Sequence, residues 1–170
     1  TNDLAFLDEP VAWRDEDSLA RTARKDPVAR HIAKLIATAR ERFIPGTNLI
    51  RYGEGDWNDS LQPADPKLRD WMVSSWTVAL LFQQLRRYAE VLRRAGRGEE
   101  AEKLQSLSED IRADFNRHLI VDGTVAGYAI FEPGQDKPEI LIHPSDKRTG
   151  LTYALLPMKR AIIAGLFTPE

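Results

Sequence analysis

The chain has 170 residues, 42% of them hydrophobic and 29% charged, and its net charge of −2 comes from basic and acidic residues interspersed along the sequence. That balance belongs to one folded domain with a single buried core, and it excludes wholesale disorder, a basic nucleic-acid stripe and a like-charge interaction tail. There is no cysteine, which excludes disulfides, cysteine-bound zinc and a thiol nucleophile.

No apolar run reaches membrane-spanning length, and Thr1-Asn2-Asp3 lacks the basic start of a secretory leader. The expectation is a cytoplasmic protein with neither a membrane nor a nucleic acid as partner. The chain opens on Thr1 and not on methionine. It closes on Thr168-Pro169-Glu170, which reads as the cap and first turn of a further helix. The chain is therefore read as an internal fragment of a longer enzyme, forming one domain segment over 1–170.

The first helix signal is Asp26-Pro27, a capping acid followed by proline at the first helical position. Val28, Ile32, Leu35, Ile36, Ala39 and Phe43 then repeat at helical spacing, until Pro45-Gly46 stops them. From Thr47 to Pro66 the residues are turn formers throughout, among them Gly53, Gly55, Asn58, Ser60 and Pro63. A structured loop of this length is most often functional.

Asp65-Pro66 repeats the start signal and predicts a long helix. Trp76, Leu80, Leu81, Leu85, Tyr88 and Leu92 form its buried side, broadened by Val73, Val78 and Val91, and Gly96 ends it. A second helix after Arg97-Gly98 carries Leu104, Leu107, Ile111 and Phe115, and the short link predicts an antiparallel pair. Leu119-Ile120-Val121, the turn Asp122-Gly123 and Val125 to Phe131 read as a hairpin. Glu139 to His143 is a third short strand, and Pro157 opens a last helix ending near Gly165. The fold class is mainly α with a small β-hairpin insertion and no internal repeat.

The chemistry concentrates in Arg51-Tyr52-Gly53-Glu54-Gly55-Asp56-Trp57-Asn58-Asp59. Glu54, Asp56 and Asp59 supply carboxylates, Asn58 a carboxamide and Trp57 an indole, all within six residues. Sugar sites need these parts. Carboxylates and amides bind hydroxyls, an indole covers the C–H face of a pyranose, and a protonated carboxyl can donate to a departing glycosidic oxygen. Asp and Asn are equally good turn and cap formers, and Trp57 can equally be a packing residue under a loop. From these residues alone both readings stay open.

Gly55-Asp56-Trp57-Asn58-Asp59 follows an extended Leu49 to Gly53 and precedes a long tryptophan-containing helix. It resembles the inverting β-glucan phosphorylases of the cellobiose phosphorylase family. Asp3-Leu4-Ala5-Phe6-Leu7-Asp8-Glu9 is similar to a stretch upstream of that motif. Further similarity covers Trp76-Thr77-Val78-Ala79-Leu80, the Leu92 to Arg97 turn, Gly127-Tyr128-Ala129 and Leu155-Leu156-Pro157-Met158. Asp59-Ser60-Leu61-Gln62-Pro63 looks more like the branch acting on β-1,2-linked glucans, because cellobiose phosphorylase proper has glycine after the second aspartate.

The resemblance implies an (α/α)6 barrel with its site at one end. It implies Asp59 as general acid and Trp57 lining the sugar subsite, with Asp56 and Asn58 as supporting substrate-binding residues. It implies a β-linked glucan or oligosaccharide substrate and inorganic phosphate as co-substrate, with no cofactor. The remainder of the catalytic domain, and a second copy of the chain in a homodimer, are the further expected partners. Phosphate is already an anionic nucleophile, so such an enzyme needs one acid and no base. Asp59 must start protonated, and burial or Asp56 beside it is expected to raise its pKa. An inverting hydrolase or transglycosylase on the same barrel, and a non-catalytic helical binding module, are the alternatives.

A weak phosphate-binding candidate is the group Arg148, Thr149 and Gly150 near His143, since guanidinium and backbone N–H groups bind phosphate well. A polar loop after a strand is the competing reading. Three scattered histidines have no metal-ligand spacing, so no metal is expected and His31 and His118 are read as structural or exposed. Trp13, Trp71 and Trp76 are read as packing residues, with Trp76 the best exception.

Overall fold

The structure is a computed structural model that describes residues 3–55 and 65–167. The motif residues Asp56, Trp57, Asn58 and Asp59 lie outside the described residues, as do Ser60 to Pro63, Thr1 and the helix start at Thr168-Pro169-Glu170. The chain divides into two compact units, Thr1–Glu41 and Arg42–Glu170.

In the first unit a 3-10 turn, Ala5–Asp8, buries Leu7. Two strands that periodicity does not announce follow it, β1 (Pro10–Arg14) and β2 (Arg21–Pro27), paired antiparallel. Residues 21–27 (RTARKDP) are polar and exposed almost throughout, so no apolar alternation marks them as a strand. The helix α1 (Val28–Glu41) starts where Asp26-Pro27 predicts. Asp26, however, is no cap: it pairs with Val11 in the sheet, and its carboxylate accepts from Trp13 Nε1 at 2.6 Å and from Arg24. The predicted apolar face is realised only in part. Ala29 is the buried residue of α1, and Leu35 is 70% exposed. Phe43, read as the end of that face, lies past the helix and bridges Ile50.

Among the described residues, the second unit holds three α-helices and two small sheets. Asp65-Pro66 does start a helical segment, but only the 3-10 turn Pro66–Asp70, where Asp65 accepts from Lys67 N–H. The chain then extends into β3 (Met72–Ser74), and the long helix α2 (Ser75–Arg94) begins nine residues later than expected. Val73 is therefore a strand residue. The cause is pairing: Met72, Val73 and Ser74 face Ile130, Ala129 and Tyr128 of a strand from beyond the next two helices. Ser74 caps α2 by accepting from Thr77 N–H.

The core stripe of α2 is Val78, Ala79, Phe82, Leu85, Ala89 and Leu92. The expected stripe is displaced by about one position: it includes Leu85 and Leu92 but misses Phe82, and Trp76, Leu80, Leu81 and Tyr88 are half-buried. Gly96 takes the left-handed conformation, φ 75°, that lets Gly96 N–H reach Arg93 and Arg97 N–H reach Leu92. The chain reverses there into α3 (Gly98–His118), which packs on α2 through Ala89, Leu92 and Ala101.

The hairpin at Asp122-Gly123 forms as read. β4 (Ile120–Val121) pairs with β5 (Thr124–Val125), and both turn residues have positive φ, 47° and 74°. The stretch from Val125 to Phe131 does not continue as one strand. It breaks at Gly127, and β6 (Tyr128–Ile130) joins a separate sheet between β3 and β7 (Glu139–Leu141). The last helix, α4 (Leu155–Ala164), opens two residues before Pro157, which proline tolerates in a first turn. It ends at Gly165, φ 70°, and α3 holds that end through Arg112 and Asn116. Helices dominate and the sheets are small, as the sequence reading has it.

Candidate active site

The candidate loop is built outward from its two roots. On the entering side, Ile44 N–H donates to Leu49 C=O at 2.9 Å, and Asp114 of α3 accepts both Asn48 N–H and Asn48 Nδ2 at 2.7 and 2.9 Å. That fixes the lead-in against a helix. Tyr52 then enters a buried cluster with Met72, Ile130 and Leu141, at the three-stranded sheet. Its N–H donates to Met72 C=O at 2.6 Å, and Gly53 N–H donates to Arg69 C=O at 2.9 Å. Gly53 needs its positive φ of 65° to turn the chain away after this contact.

These two bonds close a neck. Two nested ion pairs span it: Arg51 to Asp70 at 2.9 Å and Arg69 to Glu54 at 3.3 Å. Both are exposed, so each adds little stability, and the backbone bonds and the Tyr52 cluster carry the closure. The run Asp56, Trp57, Asn58 and Asp59 is strung between the two sides of this neck in sequence.

The second candidate group lies on the chain after β7. His143 is 1% exposed and fully engaged. Its Nδ1 accepts Ser145 N–H at 3.1 Å, so Nε2 carries the proton and donates to Val121 C=O at 3.0 Å. The organiser of this loop is a residue that sequence reading missed, Asp146. Its carboxylate accepts Ile142 N–H at 2.7 Å, Arg148 N–H at 2.7 Å and Thr149 N–H at 3.0 Å, and also the Thr149 hydroxyl. Burial opposes its ionisation, but the donors from Thr149, Ile142 and Arg148 outweigh it and bring the pKa down to about 2. Asp-x-x-Thr before a glycine is an Asx-turn signal that could have found it. Arg148 pairs with Glu139 at 3.0 Å, and Gly150 stands at φ 72°.

Trp13 and the histidines His31 and His118 are engaged in local packing. Trp13 stacks on His31 with ring centroids 3.8 Å apart, Arg24 stands over the indole, and His31 Nε2 approaches Val11 C=O at 3.1 Å. Burial lowers the pKa of His118, with Asp114 opposing that shift. Trp76 lies beside a cleft of about 160 Å³ between the starts of α2 and α4, with Arg160 over its ring at 5.2 Å. Among the described residues no group of three or more His, Cys, Asp or Glu side chains could hold a metal, and no helix is long and apolar enough to cross a membrane.

Comparison with known proteins adds two findings. Residues 1–135 match the glycosyl hydrolase 94 superfamily, catalytic domain. Over 167 residues the chain is 36% identical to a 1,2-beta-oligoglucan phosphorylase of Listeria innocua serovar 6a, covering 98% of this chain. The chain spans 15% of the length of that relative.

Proposed function

Since this chain belongs to the glycosyl hydrolase 94 superfamily as part of a catalytic domain, we propose that its full-length protein cleaves a β-linked glucan by phosphorolysis, with a β-1,2-glucan as the favoured substrate. The observation that carries this reading is the sequence Gly55 to Asp59, which follows directly on the closed neck at Tyr52 and Gly53, in a chain similar over 98% of its length to a 1,2-beta-oligoglucan phosphorylase.

In this reading Asp59 is the general acid. Its carboxyl gives a proton to the glycosidic oxygen as the C1–O bond breaks. A phosphate oxygen attacks C1 from the opposite face, so a new C–O bond forms as the old one is lost, with inversion. The products are glucose 1-phosphate and a glucan one unit shorter. Trp57 covers the C–H face of the sugar, and Asp56 and Asn58 orient the loop and its hydroxyl contacts. Phosphate is a co-substrate and no cofactor is needed.

Most phosphate contacts are assigned to residues beyond this chain. For Arg148, Thr149 and Gly150 the proposal is the weaker one. A phosphate there would have to take the guanidinium from Glu139 and two N–H groups from Asp146. An Arg148→Ala variant with unchanged KM for phosphate removes the group from the site.

Both compact units are proposed to be parts of one (α/α)6-barrel catalytic domain. The helical reversal of α2 and α3, the packing of α4 on α2 and the family membership support this. On that reading the segment alone is inactive, and a homodimer of the whole protein and a cytoplasmic location remain proposals from sequence. The deciding experiment incubates full-length protein with a β-1,2-glucan, with and without inorganic phosphate. Phosphate-dependent release of glucose 1-phosphate is the expected result. Free sugar released at the same rate without phosphate would establish a hydrolase instead.

A further inference from the structure

We propose that the cleft between the first turns of α2 and α4 is a subsite for one pyranose unit of the glucan. This rests on the glucan reading above and extends it to residues outside the Gly55–Asp59 motif. The cleft measures about 160 Å³ and is lined by Ser74, Trp76, Gly127, Tyr128, Ile142 and Ala154, with the first turn of α4 closing one side. An apolar cavity of about 150 Å³ is large enough to admit a six-membered carbon ring.

Its chemistry has the two parts a sugar ring needs. Trp76 and Tyr128 offer aromatic surface to the C–H face of a pyranose, and Arg160 stands 5.2 Å over the Trp76 ring, held by Gln83 at 3.0 Å. The polar part comes from α4. Ser74 caps α2, but the N-cap of α4 is Ala154, which has no side-chain hydrogen bond. The cap residue itself therefore offers no acceptor to the N–H groups of Leu155 and Leu156, Pro157 having none, and a sugar hydroxyl can supply one.

The walls are held in a conformation that costs energy. Ile142 is β-branched yet stands at φ 50°, which is rare for such a residue. Asp146 holds it there through the 2.7 Å bond to Ile142 N–H. Opposite, a Cβ on Gly127 would lie 2.9 Å from Ile142 Cβ and 3.2 Å from Ala154 Cβ, so only glycine lets these walls approach. Backbone strain of this kind is kept where a ligand is gripped. Tyr128 also lies 6.2 Å from Tyr52, ring to ring, and Tyr52 belongs to the neck that closes just before Gly55.

The test uses full-length protein and a series of β-1,2-linked glucan oligosaccharides, with Trp76→Ala and Leu155→Glu. Leu155 lines the cleft and is 67% exposed in this chain, so its substitution is the milder of the two and decides the matter if Trp76→Ala unfolds. Glucan KM is expected to rise about tenfold in each folded variant, while KM for phosphate stays within about twofold. Unchanged glucan KM in Leu155→Glu overturns the subsite and leaves phosphorolysis standing. A fall in melting temperature with unchanged KM means that another segment packs there, and also overturns it. A wild type that cleaves no β-glucan overturns both readings.

Discussion

The backbone N–H of Tyr52 donates to the carbonyl of Met72 across 2.6 Å, joining the residue that enters the candidate loop to the strand that leaves it. The ring of Tyr52 is buried against Met72, Ile130 and Leu141. The loop root is thus part of the sheet core, and the stability of that core and the placement of the loop are one property.

Tyr52→Ala is expected to cost about 3–5 kcal/mol, the range for truncating a buried aromatic side chain. Denaturant unfolding of the full-length protein measures it. A loss below about 1 kcal/mol would mean that the cluster re-closes around the gap and that Tyr52 does not anchor the root.

Asp59→Asn is expected to lower turnover by about 10²–10⁴-fold, the usual contribution of a positioned acid, with a smaller change in glucan KM. Steady-state phosphorolysis is the measurement. Near-normal turnover would remove Asp59 from the acid's role.

Asp146→Asn is expected to lose about 1–2 kcal/mol, after allowance for solvent screening of a partly exposed group. The pKa of Asp146 falls from the ordinary 3.8 to about 2 in the folded chain. Ionised Asp146 therefore favours folding. Its contribution is complete above about pH 4 and disappears as pH falls through about 2. Unfolding free energy of wild type and Asp146→Asn should converge over that window. Parallel curves down to the lower limit would show that the shift has another origin.

Gly127→Ala is expected to destabilise by about 1–3 kcal/mol, as overpacking does, because the added methyl would press on Ile142 and Ala154. Thermal melting of the two proteins is sufficient. An unchanged melting temperature would mean that the loop after β7 yields freely, contrary to the fixed position that Asp146 gives it.

Local signals were legible where they act locally. Gly96 and Asp122-Gly123 demand positive φ, and the turns stand where those residues do. Helical spacing found α1, α2 and α3, and Pro157 and Gly165 marked α4. One failure is local, the missed Asx-turn at Asp146, and the others come from pairing across the chain. Met72 to Ser74 extend because a strand more than fifty residues later pairs with them, and nothing local says so. β2 is held by β1 and not by an apolar pattern, and Asp26 was drawn from capping into the Trp13 bond. At the candidate site, the motif could be read from residue types, and its residues 56–59 lie outside the described part. The neck could not be read, since it consists of backbone bonds between Gly53 and Arg69 and between Tyr52 and Met72.

The closed neck has a consequence for how such a protein can change. Its two sides are bonded to each other, so the cost of bringing the loop ends together is met outside the loop itself. A change of sequence between Gly55 and Asp65 therefore removes neither of these bonds, because Tyr52, Gly53, Arg69 and Met72 all lie outside that stretch.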